Sequence, residues 1–339
     1  MHRAVVLGTG SCLPRRVLTN DDLEQMVDTS DEWITSRTGI HTRRIAGDGE
    51  QNYQLASQAA EKALVSAKVS AEEIDLVAVA TLTPHMMMPS CACFVQTEIG
   101  AKNAFAFDLN AACSGFLYGL DMAEKYIATK PDMKILLIGS ETLSARINWQ
   151  DRNTCILFGD GAGACVLTGA MEPTKTTRTT RTTEAKQRGI VASNLYSDGS
   201  LWKLLYMDSP ASRNPDLLLE ERNGCFMQMT GRDVFKHAVR AMEKAALDLL
   251  DQQQISIQDV SLIIPHQANI RILNKLTERL GADQEKVFIN VDKYGNTSAA
   301  SIPIALDEAN RQNRLKQGDL VLLCSFGGGF TWGSMLIRW

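Results

Sequence analysis

Three residues able to do chemistry each stand at the end of an apolar run. Cys113 lies in Asn110-Ala-Ala-Cys113-Ser-Gly-Phe, after the strand-like Ala104-Phe-Ala-Phe107 and before a helix-like stretch. His266 follows the apolar Val260-Ser-Leu-Ile-Ile264, within Pro265-His266-Gln-Ala-Asn269. Asn296 lies in the turn Tyr294-Gly-Asn296-Thr-Ser-Ala-Ala-Ser301, which leads into another helix. A thiol at a strand-to-helix junction meets unpaired backbone N–H groups and the positive end of the helix dipole, which favour the thiolate. The placement predicts a pKa below the ordinary value of about 8.5 and a nucleophile usable at neutral pH. Taken alone, Cys113 also fits a small buried core residue. Cys, His and Asn together also fit a thiol protease in which Asn orients His, although no papain-type motif accompanies them. Gly8-Thr-Gly10 opens like a dinucleotide fingerprint, but Leu13 stands where the third glycine belongs.

The elements that carry these residues are repeated along the chain. Ile74-Asp-Leu-Val-Ala-Val-Ala, Phe105-Ala-Phe, a helix with Leu120-Asp121-Met-Ala123 and the strand Ile135-Leu-Leu-Ile138 run in that order. The second half shows Val260-Ser-Leu-Ile-Ile264, Val287-Phe-Ile-Asn-Val291, a helix with Leu306-Asp307-Glu-Ala309 and Leu320-Val-Leu-Leu323. The offsets agree: 260 − 74 = 186, 287 − 105 = 182 and 307 − 121 = 186. A duplicated α/β fold follows, with nearly continuous apolar strands that helices should cover on both faces. All three reactive residues then lie at C-terminal strand ends or in the turns just after, and the duplication should bring the half-sites face to face. The expected division is a first half at 1–170, an insert at 171–188 and a second half at 189–339. The insert, with Thr174-Lys-Thr-Thr-Arg at its head, is rich in threonine and reads as a solvated loop.

Bulk composition narrows the function classes. The chain has 339 residues, enough for two core units, with 45% apolar and 22% charged residues. Its net charge of −4 argues against general nucleic-acid binding. No secretory signal and no membrane-length apolar stretch is evident, so a cytoplasmic enzyme with reduced thiols is expected. The eight cysteines form no CxxC pair, so neither a metal site nor a disulfide framework is expected.

The motifs together resemble the thiolase-fold condensing enzymes, and most closely the β-ketoacyl-acyl-carrier-protein synthase III family. They are Asp28-Thr-Ser-Asp-Glu-Trp33-Ile-Thr-Ser-Arg37, Asn110-Ala-Ala-Cys113-Ser-Gly-Phe, Phe158-Gly-Asp-Gly-Ala-Gly-Ala164, Pro265-His266-Gln-Ala-Asn269, Tyr294-Gly-Asn296-Thr-Ser and Phe326-Gly-Gly-Gly-Phe-Thr-Trp-Gly333. The resemblance implies a layered αβαβα fold, two mixed sheets enclosing buried helices. It implies an acyltransferase that starts fatty acid synthesis by condensing an acyl-CoA with malonyl-acyl-carrier protein, releasing CoA and CO2. Cys113 would carry the acyl group, and the N–H groups of Cys113 and Gly328 would form its oxyanion hole. His266 and Asn296 would hold the enolate left by decarboxylation. Trp33 and Arg152 would sandwich the CoA adenine, and Arg37 would contact its phosphates. Arg271 would dock the carrier protein, with Lys275 and Arg279 continuing its helix face at i+4 and i+8. Met88 and Phe326 would line the acyl pocket. A homodimer is implied, with no cofactor beyond the CoA thioester substrates.

Met88 departs from the family, which commonly has an aromatic residue at that position. A flexible methionine implies a pocket open to acyl chains longer than acetyl, completed with help from a partner subunit. The alternative is a paralogue of secondary metabolism that uses a specialised acyl-CoA.

Overall fold

The computed structural model describes residues 2–170, 188–208 and 226–339. The expected insert therefore lies outside the described residues, except for Arg188. In chain order the elements are β1 (Ala4–Cys12), β2 (Arg16–Thr19), α1 (Asn20–Glu24), α2 (Asp31–Thr38), β3 (Thr42–Ile45), α3 (Asn52–Ala67), β4 (Leu76–Ala80), α4 (Cys91–Glu98), β5 (Phe105–Leu109), α5 (Gly115–Thr129), β6 (Ile135–Glu141) and β7 (Gly161–Gly169). Then follow β8 (Gly189–Ser197), β9 (Leu205–Tyr206), β10 (Gln228–Met229), α6 (Gly231–Gln252), β11 (Leu262–Pro265), α7 (Ile270–Leu280), α8 (Val291–Tyr294), α9 (Ser301–Arg311), β12 (Leu320–Gly327) and β13 (Thr331–Arg338).

Of the two large sheets one has the order β1-β7-β6-β4-β5 and the other β11-β12-β13-β8, while β2 with β3 and β9 with β10 form two-stranded pairs. Both mix parallel and antiparallel pairs: β6, β4 and β5 run parallel, as do β11 and β12, while β7 and β13 turn back. α5 and α9 fill the space between the sheets, where Phe116, Leu117, Leu120, Ile302 and Leu306 meet apolar residues of both. α3 and α4 cover the outer face of the first sheet, and α6 and α7 that of the second. The result is a five-layered αβαβα fold of the thiolase type. The apolar runs dictate it, because strands with two apolar faces need a helix layer on each side.

Two expected strands behave differently. β5 is an edge strand in the single chain; Phe105 is 48% exposed and the rest of the strand is only half-buried. The run at 287–291 contributes a single bridge, Ile263 to Val287, rather than a strand. Beyond that bridge, Gln267 Oε1 accepts the Asn290 and Val291 N–H groups, and the chain turns into α8 at Val291.

Candidate active site

The nucleophile turn is built by β5 and α5. Asn110 Oδ1 accepts the Ala112 N–H (3.1 Å), and Ala112 takes a φ of +47° as the chain swings into α5. The same turn recurs in the second half at the duplication offset, 296 − 110 = 186 and 298 − 112 = 186. There Asn296 Oδ1 accepts the Ser298 N–H (2.9 Å), and Ser298 has a φ of +49°. The two turns pack against each other, so the half-sites do face one another. A backbone N–H can only donate, so the bond from Ser298 fixes the Asn296 side chain with its NH2 group free for the cleft. The Asn296 backbone is clamped to the first half, donating to Leu157 O (2.8 Å) and accepting from Gly159 N (3.0 Å). Gly295, at φ +64°, permits this close approach.

β12 and β13 support the Cys113 turn from behind. Ser325 Oγ donates to Cys113 O (2.9 Å), Ser114 Oγ to Thr331 O (3.0 Å), and Thr331 Oγ1 to Ala111 O (2.8 Å). A Cβ at Gly327 would meet the Cys113 nitrogen at 2.7 Å, so only glycine lets the strand end come this close. Gly328 lies one residue further on and lines the cleft beside Cys113.

The cleft has a volume of 1330 Å³ and is lined by Cys113, His266, Asn296 and Phe326 at depth, with Trp33, Arg37 and Arg271 also among its lining residues. That exceeds the roughly 300–1,000 Å³ of ordinary small-molecule sites. Cys113 keeps some accessible surface toward the cleft, yet protein surrounds it on every other side. Burial pushes its thiol up to about 12, with the Glu141 carboxylate adding to the rise. Desolvation at the cleft base thus opposes the lowering expected from the helix start. His266 is 2% exposed, and burial pulls it down to about 4, so its ring is neutral. Its Nδ1 is enclosed without a partner, which leaves Nε2 as the nitrogen offered to the cleft.

The outer residues are arranged less simply. Ser30 caps α2 by accepting the Trp33 N–H (3.1 Å), and Gly39 ends the helix in the left-handed conformation. Arg37, one turn beyond Trp33, places its guanidinium 4.5 Å from the indole centroid, and Arg152 lies 5.1 Å from it. Arg152 also donates to Asp28 O (3.0 Å) and does not line the cleft. Both guanidiniums thus stand within cation–π distance of the indole that the expected sandwich would use. On α7, Lys275 pairs with Glu278 (2.6 Å) and Arg279 with Glu243 (2.7 Å). Arg271 has no ion-pair partner among the described residues and lines the cleft. The three-residue basic stripe is thus reduced to one uncompensated charge. Met88 is 84% exposed and does not line the cleft of its own chain, whereas Phe326 does.

Sequence reasoning missed Ser298 and Glu141. Glu141 ends β6, whose first half Ile135-Leu-Leu-Ile138 is apolar, and is 0% exposed; a carboxylate closing such a strand was the available signal. Ser298 could have been found by carrying the 186-residue offset from Ala112, beside the nucleophile, into the second half.

Residues 107–199 match the family described as 3-oxoacyl-[acyl-carrier-protein (ACP)] synthase III, and residues 250–339 match its C-terminal counterpart. The chain is 58% identical over 335 residues to the β-ketoacyl-[acyl-carrier-protein] synthase III of Desulfotalea psychrophila, covering 99% of each. The crystal structure of the 3-oxoacyl-[acyl-carrier-protein] synthase III of Aquifex aeolicus superposes with a TM-score of 0.88 at 48% identity, covering 99% of this chain and 100% of that one. A priming β-ketosynthase from the R1128 polyketide pathway gives the same TM-score of 0.88 at 33% identity, over 98% and 95% of the chains.

Proposed function

Because the chain belongs to the β-ketoacyl-[acyl-carrier-protein] synthase III family, we propose that it condenses an acyl-CoA with malonyl-acyl-carrier protein to open fatty acid synthesis. The observation that carries this reading is the single cleft in which Cys113, His266 and Asn296 converge from opposite halves of the duplication. Cys113 Sγ attacks the acyl thioester, and the N–H groups of Cys113 and Gly328 hold the oxyanion. CoA leaves and malonyl-carrier protein enters. Loss of CO2 creates an enolate, whose oxygen takes hydrogen bonds from His266 Nε2–H and the Asn296 NH2 group. The enolate carbon then attacks the acyl-cysteine. A neutral histidine and an amide with its orientation locked suit this task, since both donate without giving up a proton.

CoA enters past Arg37 and Trp33, with Arg152 swinging off the indole so that the adenine takes its place. Arg271 docks the acidic carrier, and Lys275 contributes less because Glu278 neutralises it. The partner is a second copy of this chain. The exposed β5 edge with Phe105 and Tyr126, together with the exposed Met86, Met87 and Met88, supports a homodimer that brings Met88 to the acyl pocket of the neighbouring cleft. The pocket then takes chains longer than acetyl. Cofactors other than the CoA thioesters are not required by these steps.

A panel of acyl-CoAs with malonyl-carrier protein as acceptor tests the reading. The expected outcome is an acyl adduct on Cys113 by mass and a β-ketoacyl-carrier product, with Cys113→Ser losing the adduct but keeping some decarboxylation. Product formed only with malonyl-CoA, or only from one specialised acyl-CoA, would favour a paralogue of secondary metabolism. The similarity to the polyketide priming synthase keeps that as the second reading.

A further inference from the structure

Behind Cys113 lies a carboxylate that the steps above leave idle. Glu141 is fully buried and has no ion-pair partner among the described residues. Its donors crowd one oxygen: Thr83 Oγ1 (2.5 Å), Thr83 N (3.1 Å), Leu82 N (3.2 Å) and Thr81 Oγ1 (3.3 Å) all reach Oε2. Oε1 receives only the Leu82 N–H at 3.3 Å, so it retains room to accept. The two backbone donors require an oxygen acceptor at this place, which selects a carboxylate over an apolar residue. Among the groups that feel its charge are the thiols of Cys113 and Cys91, and Asp108 acts on Cys91 separately. Burial raises Glu141 to about 7, so it gains and loses a proton in the working range.

Ser298 stands between this carboxylate and the thiol. It is 1% exposed, lines the cleft, and its hydroxyl makes no well-formed hydrogen bond at rest. It nevertheless lies near enough to both Cys113 and Glu141 to favour their charged forms. A buried hydroxyl without a partner is costly unless a later state uses it. His266 is a poor substitute as proton acceptor, because its low basicity suits a donor.

We propose that Ser298 and Glu141 form a relay that takes the proton of Cys113 while its sulfur attacks the acyl thioester. On attack Ser298 closes a hydrogen bond to the thiol, and Glu141 acts through Ser298 as a positioning residue that stores the proton. As the new S–C bond forms, the thiol proton passes to Ser298 Oγ and the Ser298 proton passes to Glu141. The bond from carbon to the CoA sulfur breaks, and the stored proton returns along the same path to the departing thiolate, so CoA leaves as its thiol. Nothing is oxidised or reduced. No free thiolate forms, which fits the high resting pKa of Cys113. The inference rests on the acyl transfer proposed above.

The test compares wild type with Ser298→Ala and Glu141→Gln across about pH 5 to 9, a range that spans the Glu141 titration. Acylation of Cys113 by acetyl-CoA and octanoyl-CoA is followed by mass, beside decarboxylation of malonyl-carrier protein. Wild-type acylation should rise with pH through the neutral region; both variants should lose that rise and acylate about 10²-fold more slowly. Decarboxylation should fall by a smaller factor than acylation. An unchanged pH profile in both variants, or equal losses in the two half-reactions, would overturn the relay. Ser298→Ala keeps the backbone N–H that holds Asn296 and leaves Glu141 in place, so it decides the matter if Glu141→Gln fails to fold. Alkylation of Cys113 by iodoacetamide needs no substrate: loss of its neutral limb in the variants supports the relay, and an unaltered limb refutes it. A wild type that alkylates normally but accepts no acyl group would instead overturn the proposed function.

Discussion

At the residue scale, protonation at the cleft base is set by burial rather than by ion pairs. Burial acts on both Cys113 and His266, raising the one and lowering the other, because the charged form of each loses solvation. For His266 the consequence for stability has a definite sign. Its folded pKa of about 4 lies below the ordinary 6.5, so the unfolded chain binds more protons between those values. Its contribution is complete above pH 6.5 and is lost as the pH falls through 4. Denaturant titrations of wild type and His266→Asn at neutral and at acid pH should show wild type losing on the order of 2–3 kcal/mol more on acidification. The constant packing cost of the substitution cancels in that difference. In the same window the malonyl decarboxylation rate should stay flat until the pH approaches 4, because the donor remains neutral. A decline centred near the ordinary histidine value would contradict a desolvated ring.

At the element scale, the central helices carry the fold. Leu120 on α5 is fully buried between the two sheets, so Leu120→Ala should cost about 2–5 kcal/mol, read from denaturant midpoints. On α7 the ion pairs make the face unequal. Arg271→Glu should raise the KM for malonyl-carrier protein with little change in kcat, and the effect should shrink as salt rises. Lys275→Ala should change KM much less, since its charge is already spent on Glu278. Equal effects from both would mean that the Lys275 pair opens on docking. α7 was legible as an amphipathic helix after His266, but the carboxylates opposite its basic residues were not. Glu278 lies on the same helix, whereas Glu243 comes from α6 and meets Arg279 only once the helices pack.

At the scale of the whole molecule, the first sheet ends in an apolar strand that its own chain leaves uncovered. Phe105 stacks on Phe107 and lies beside Tyr126, forming an aromatic patch on the β5 edge. Phe105→Asp should shift the protein from dimer toward monomer in light scattering and lower condensation in parallel. Met88→Phe should narrow the acyl-CoA panel toward acetyl if the neighbouring subunit completes the pocket; an unchanged profile would remove Met88 from the pocket.

The sequence by itself determined the duplication, the layered α/β architecture and the positions of Cys113, His266 and Asn296, because these rest on apolar periodicity and on short motifs at strand ends. It also carried the turn chemistry that repeats at an offset of 186 residues, in Asn110 with Ala112 and in Asn296 with Ser298. Only the tertiary structure decided the state of the nucleophile. Desolvation and the field of Glu141 depend on what surrounds Cys113 in space, and those groups come from β6 and from the opposite half of the chain. The same holds for the guanidiniums against Trp33, the paired Lys275 and the uncovered β5 edge. Each is a matter of which distant residue ends up alongside, which local pattern does not encode.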